Sequence, residues 1–268
     1  MLRLLAVASL VAVPQPAAQP ARLAPAGKWT VEFADRSCNA SRVFATGERQ
    51  LLIVFDPRPG ADNSLGFRLA VPASELKRWS NSSLTVTGST GPSTPHFPEG
   101  RLSDGRILIV GYLRDSDKTA VEQGATLIFT NAGGRDELVM TGYRTAATAL
   151  DRCLDDLVTT WGYAPGFFKS LTSPAKAIRN VASFVRDGDY PTDALRRSAQ
   201  GQVEVRLTIA PSGKPSDCVV LRSSSHADLD NATCVAGLRG RFTPAIDKDG
   251  KPVTAPFVAN IRWIIPSD

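Results

Sequence analysis

The sequence predicts a mixed α+β fold in two parts. A mainly-β N-terminal domain, sandwich or partial barrel, is closed by one helix; a small two-layer α/β domain with a short antiparallel sheet follows. Three observations predict it. Short apolar runs separated by Gly, Pro, Asn, Asp and Ser clusters fill residues 29–145. The apolar period then lengthens to three and four residues over 145–161. Beyond residue 190 the order becomes helix, strand, strand, helix, strand.

Taken in order, residues 29–33 alternate apolar and polar, and 51–55 form a continuous apolar run. Residues 84–87, 107–112, 126–130 and 138–142 continue the series of strands. Leu150, Leu154, Leu157 and Trp161 then step along one face of the closing helix. Within 162–189, Ser173 and Pro174 supply an N-cap and a first-turn proline. Ile178, Val181, Ala182 and Val185 after them predict a short helix ending at Asp187 and Gly188. Residues 191–198 predict another short helix. Val203, Val205, Leu207 and Ile209 alternate strictly, so one face of that strand is expected buried and the other wet. A turn at 211–213 and a strand at 215–221 follow. Asp228 and Asp230 suit the positive end of a helix running to Leu238. A tight turn at 247–250 leads into one long last strand over 253–265.

The chain has 268 residues, 43% hydrophobic and 21% charged, a globular composition with length for two domains. Residues 1–21 read as a signal peptide: Arg3, an apolar run at 4–13, then small residues and prolines, with cleavage after Ala18 or Ala21. The alternative is an uncleaved inner-membrane anchor facing the periplasm. A spanning helix needs about 20 apolar residues, and the run at 4–13 supplies half of that. The expected boundaries are then a signal peptide at 1–21, a β-rich domain at 27–162, a basic linker at 163–189 and the small domain at 190–266.

Cys38, Cys153, Cys218 and Cys234 lack metal-ligand spacing, and His96 and His226 are the only histidines, so no metal site is expected. Export favours two disulfides. Three pairings are open; Cys38–Cys153 with Cys218–Cys234 is the one that keeps each bridge inside its own domain. Net charge is +5, and its placement is informative. Residues 187–268 hold ten Lys/Arg and ten Asp/Glu, whereas 164–186 hold Lys169, Lys176, Arg179 and Arg186 with no acid. That segment is a candidate for peripheral contact with anionic lipid, or else a solvated face.

From Tyr190 a family resemblance is carried by an ordered set of residues. Residues 190–196 (YPTDALR) and 201–205 (GQVEV) open it. The sequences SGK at 212–214, SSS at 223–225, RFTPA at 241–245 and GKPV at 250–253 follow, and IRW at 261–263 closes it. This stretch resembles the TonB C-terminal domain family over residues 190–265. The resemblance implies a periplasmic module of a Gram-negative bacterium that binds an outer-membrane TonB-dependent receptor, or another envelope protein, by accepting a short segment as an added strand. Carried onto this sequence, the contact positions are Val253, Phe257, Val258, Ala259, Asn260, Ile261, Arg262 and Trp263, with Tyr190 and Pro191 leading in. It also implies a helix-to-sheet bridge between Cys218 and Cys234. The loop closed is roughly 15 residues, which corresponds to about 3 kcal/mol.

The departures from that family matter. A TonB energy transducer is driven through a membrane anchor and a proline-rich spacer, yet residues 29–161 read as a folded domain, and 162–189 contain only Pro165 and Pro174. With the signal cleaved, the chain is expected to bind and not to transduce; an anchored transducer of TonB type is the alternative. The N-terminal domain resembles uncharacterised domains fused to TonB-like modules, which implies no chemistry.

No catalytic or cofactor motif emerges. Residues 223–226 place serines beside His226 without a nucleophile elbow. His96 reads as a loop residue, and 187–189 and 247–250 read as turns, not calcium loops. An enzymatic site in the N-terminal domain would have to draw on residues such as Glu32, Asp35, Arg42 and Asp56, and no motif joins them. No small-molecule substrate is expected, and without aromatics interleaved among the basic residues, nor is nucleic acid.

Overall fold

The computed structural model describes residues 21–59, 65–79, 82–89, 96–131 and 134–265 of the chain. Of the expected signal peptide at 1–21, residues 1–20 lie outside the described residues and Ala21 opens the first strand. The protein is mixed α+β, rich in strands, with a few helices and open sheets.

In chain order the first strands are β1 (Ala21–Pro25), β2 (Thr30–Ala34), β3 (Ser37–Thr46), β4 (Arg49–Phe55) and β5 (Leu65–Val71). Then come β6 (Ser83–Val86), β7 (His96–Arg101), β8 (Ile107–Leu113), β9 (Thr126–Asn131) and β10 (Gly134–Val139). Helix α1 (Leu76–Trp79) follows β5, α2 (Asp115–Glu122) follows β8, and α3 (Tyr143–Thr160) follows β10. All ten strands join one sheet in the order β6-β9-β10-β1-β3-β4-β5-β8-β7, with β2 added alongside β3.

That sheet curls. β9 and β5 stand five steps apart in the order, about 24 Å if the sheet were flat, yet the rings of Phe67 on β5 and Phe129 on β9 lie 6.1 Å apart. The inner faces therefore close round one core containing Leu23, Phe44, Ile53, Phe55, Leu69 and Ile109. Helix α3 seals it with Tyr143, Ala146, Leu150 and Leu157, and a disulfide between Cys38 and Cys153 ties α3 to β3. Inside this half the Asp136 carboxylate is fully buried and bracketed by Arg49 and Arg78, each at 2.8 Å. His96 belongs to a strand and not a loop: its backbone pairs with Gly111 of β8, and an irregularity between Pro98 and Gly100 accommodates the proline.

The connecting segment also differs from its expectation. A short strand, β11 (Leu171–Ser173), precedes Pro174, and in place of a helix after it there is a second short strand, β12 (Lys176–Ala177), then single 3-10 turns at Val181–Phe184 and Asp187–Asp189. The cause is tertiary. Lys176 and Ala177 pair with Thr243 and Phe242, and the Ile178 amide donates to the Arg241 carbonyl at 3.0 Å. A helix there would forfeit those bonds. Ile178 is left 64% exposed.

Next come α4 (Thr192–Arg196), β13 (Gly201–Ile209), β14 (Pro215–Arg222) and α5 (Ala227–Leu238), then β15 (Phe242–Thr243), β16 (Ala245–Asp247), β17 (Pro252–Val253) and β18 (Ala255–Trp263). The principal sheet runs β14-β13-β18, all antiparallel. Val203, Val205, Leu207 and Ile209 face α5, which buries Leu229, Thr233 and Ala236. A second disulfide, Cys218–Cys234, joins β14 to α5. In the turn between β13 and β14, Gly213 has φ +74°, and an added Cβ would meet the Phe242 carbonyl oxygen at 2.1 Å, so only glycine fits.

The expected wet face of β13 is not wet. Glu204 is buried and binds Arg58 at 2.9 Å and Arg222 at 3.1 Å. The Arg206 guanidinium lies 5.2 Å from the ring centre of Trp161, and Arg36 donates to the Val220 carbonyl at 2.9 Å. The N-terminal half therefore covers this face and supplies part of its polar partners, Arg58 for Glu204 among them.

Candidate partner-binding edge

β18 is an end strand. One flank pairs with β13 from Ala255 to Trp263, and among the described residues no strand pairs with the other. Its side chains alternate: Ala255, Ala259, Ile261 and Trp263 enter the α5 core, while Val258 meets Leu157, Trp161 and Leu221 on the opposite face. The Trp263 indole donates to the Thr233 hydroxyl at 2.8 Å, which anchors the far end of the strand to α5.

Beside the bare flank lies a groove of about 530 Å³, lined by residues 257–260, by 176–181, and by Asp56, Arg58, Gly66 and Tyr112. Four consecutive strand residues point to alternate faces, so all four can line one groove only through their common backbone edge. The groove contains paired and unpaired charges. Asp56 binds Arg68 at 2.7 Å and Arg58 binds Glu204. Burial disfavours the Arg58 charge, but Glu204, the Tyr112 phenol and Asp56 outweigh it and keep the guanidinium protonated. Lys176 and Arg179 are exposed, and among the described residues neither side chain has an ion pair or hydrogen bond. The Asn260 side-chain oxygen and nitrogen are buried with no hydrogen-bond partner among the described residues.

The expected contact positions separate into groups. Phe257, Val258, Ala259 and Asn260 come together at the groove; Ile261, Arg262 and Trp263 continue the strand past it. Val253 does not share that edge, because the last strand breaks at Thr254 and Val253 pairs with Ala245 in a separate sheet. Tyr190 stacks edge-on against Trp263 with centroids 5.1 Å apart, and its hydroxyl donates to the Ala199 carbonyl at 2.5 Å. Burial, with the Asp228 carboxylate, pushes that phenol up. Pro191 caps α4. Tyr190 thus supports the strand's end, and neither residue lines the groove. Arg58 and Tyr112 carry no sequence signal that would place them here, whereas Lys176 and Arg179 belong to the acid-free basic run at 164–186 and line this groove. Of that run, Lys169 is taken by Asp155 at 3.1 Å.

The other candidates have structural partners. Ser223 and Ser224 hold Asp230 at 2.5 and 2.8 Å across the turn into α5. Burial opposes ionisation of Asp230, but those hydroxyls, the Ser224 amide and His226 keep its carboxyl below the ordinary range. Asp247 accepts the amides of Asp249 and Lys251 in a tight turn. Glu32 accepts from Asn39, and Arg42 donates to the Gly27 and Thr141 carbonyls, so these residues form no common cluster with Asp56.

A three-stranded sheet backed by one helix, with an end strand bare along one flank, has the architecture of a protein-interaction module. Residues 187–265 match the family model described as Gram-negative bacterial TonB protein C-terminal. Over 57 residues the chain is 40% identical to protein TonB2 of Pseudomonas aeruginosa; the match covers 21% of this chain and 21% of that protein, about a fifth of the relative's length. Residues 187–265 are a TonB C-terminal domain, which supports a TonB-like interaction role in the envelope.

Proposed function

We propose that this chain is an exported, periplasmic binding protein whose β18 edge accepts an extended segment from an outer-membrane receptor or similar envelope protein. The observation that carries the reading is the unpaired flank of residues 257–260 facing an open groove. Added main-chain hydrogen bonds supply the affinity, and the groove walls supply selectivity. Four residues of strand span about 13 Å, enough to hold a short segment in register. The action is binding, without a catalytic step, cofactor, small-molecule substrate or nucleic acid.

On this reading the N-terminal half is a separate β-rich domain. Its start is better placed at residue 21 than at 27, since Leu23 of β1 is fully buried and β1 joins β10 to β3. The remaining division is 163–189 as the connecting segment and 190–266 as the TonB C-terminal domain.

The test is a titration with extended peptides methylated at alternate backbone nitrogens. A strand added at an edge points every second N–H at its host. One methylation phase should weaken binding about thirtyfold, from two lost bonds of about 1 kcal/mol each, and the other phase should leave it intact. Equal tolerance of both phases rules out strand addition.

A further inference from the structure

We propose that the groove beside β18 is a composite site selecting an extended peptide that carries carboxylates, read by Lys176 and Arg179 of the connecting segment. The proposal rests on strand addition at β18 and goes beyond it: the groove residues other than 257–260 lie outside residues 187–265, so they are this chain's own addition to the module.

Three observations converge. First, the fixed charges already cancel: Asp56 is taken by Arg68, and Arg58 by Glu204. The charges left without partners among the described residues that line the groove are the two cations, Lys176 and Arg179. A guest strand therefore meets net positive potential on the wall opposite β18. Second, the buried Asn260 amide lacks both a donor and an acceptor partner among the described residues. A buried orphan of that kind is costly, and a guest backbone in the groove offers both an N–H and a C=O. Third, Ile178 is exposed beside the two cations and Phe257 lines the groove, so apolar side chains alternating with acidic ones match the walls.

An anionic bilayer would also be attracted by cations, but Lys176 and Arg179 line a concave groove and Lys169 is held by Asp155. A flat headgroup layer cannot enter such a groove, whereas a single extended chain can.

The experiment uses the full chain and two blocked peptides of about eight residues. Both alternate threonine with valine; one has two threonines replaced by glutamate, the other by glutamine. The readout is the affinity ratio, acidic over neutral. Wild type should give about tenfold at low ionic strength, from two charge contacts of ordinary surface strength. The ratio should fall toward one at about 500 mM salt. In the double variant Lys176→Glu with Arg179→Glu it should drop to one or below. If both peptides bind wild type equally, charge selection is overturned while strand addition stands. If neither binds, strand addition falls and this inference with it. Flotation with phosphatidylglycerol vesicles that the double variant abolishes, alongside an affinity ratio of one, would assign the two cations to a membrane and overturn the proposal.

Discussion

Asn260 is the residue on which binding and stability pull in opposite directions. Its amide is buried beside the groove and bonds to nothing among the described residues. Leaving such a group unsatisfied costs roughly 1–3 kcal/mol, a cost that ordered water or a bound guest in the groove would remove. Asn260→Leu conserves approximate size and removes the orphan. The free protein should become about 1 kcal/mol more stable by denaturant midpoint, and its affinity for an extended peptide should fall. A loss of stability instead would show that the amide serves the fold. The Ser223–Asp230 turn illustrates the opposite arrangement. There each polar atom has a partner, and what looks like a serine–histidine pair in the sequence is a fully bonded entry into α5.

At the level of elements, the two disulfides differ in what they close. Cys218–Cys234 spans 16 residues and staples α5 to β14, whereas Cys38–Cys153 spans 115 and staples α3 to β3. Loop-closure entropy gives about 3 kcal/mol for the first and about 5 kcal/mol for the second. Replacing each pair by alanine should reproduce that order in urea unfolding; a larger loss from the shorter loop would contradict it. The elements around these bridges were legible where periodicity was local. The alternation of β13 and the carboxylates opening α5 mark both elements. β1 and β3 were not legible, because β1 follows a stretch of similar small residues and Ser37–Thr46 is mostly small or polar. The strand character of β3 comes from the hairpin it forms with the apolar strand Arg49–Phe55, and that of β1 from a partner distant in sequence, Asp136–Leu138. The helix expected after Pro174 failed for the same reason: pairing of Lys176 and Ala177 with β15 outweighs a weak apolar period. The candidate edge was legible in part, since 257–263 lie on one strand; Val253 was assigned to it because the break at Thr254 has no sequence signal.

For the molecule as a whole, the groove exists because the two halves are held in one arrangement. Residues 257–260 form one wall, and Asp56, Arg58, Gly66 and Tyr112 belong to the other half. The tie between them is polar: Arg58 and Arg222 share Glu204, Arg206 lies over Trp161, and Arg36 reaches the Val220 carbonyl. Arg58→Ala tests whether that tie shapes the site. Glu204 would keep Arg222 but lose one of two charge partners in a mostly buried position, a cost of about 2 kcal/mol. Because the loss falls between the halves and not within either core, it should appear first as faster limited proteolysis in 163–175. Peptide dissociation should accelerate by about tenfold or more, since 1.4 kcal/mol corresponds to a factor of ten. Because Arg58→Ala also leaves Glu204 less compensated, the peptide followed is the glutamine one, into whose dissociation repulsion of a guest carboxylate does not enter. Unaltered cleavage and unaltered dissociation would mean that the halves act independently and that β18 binds its guest without the second wall.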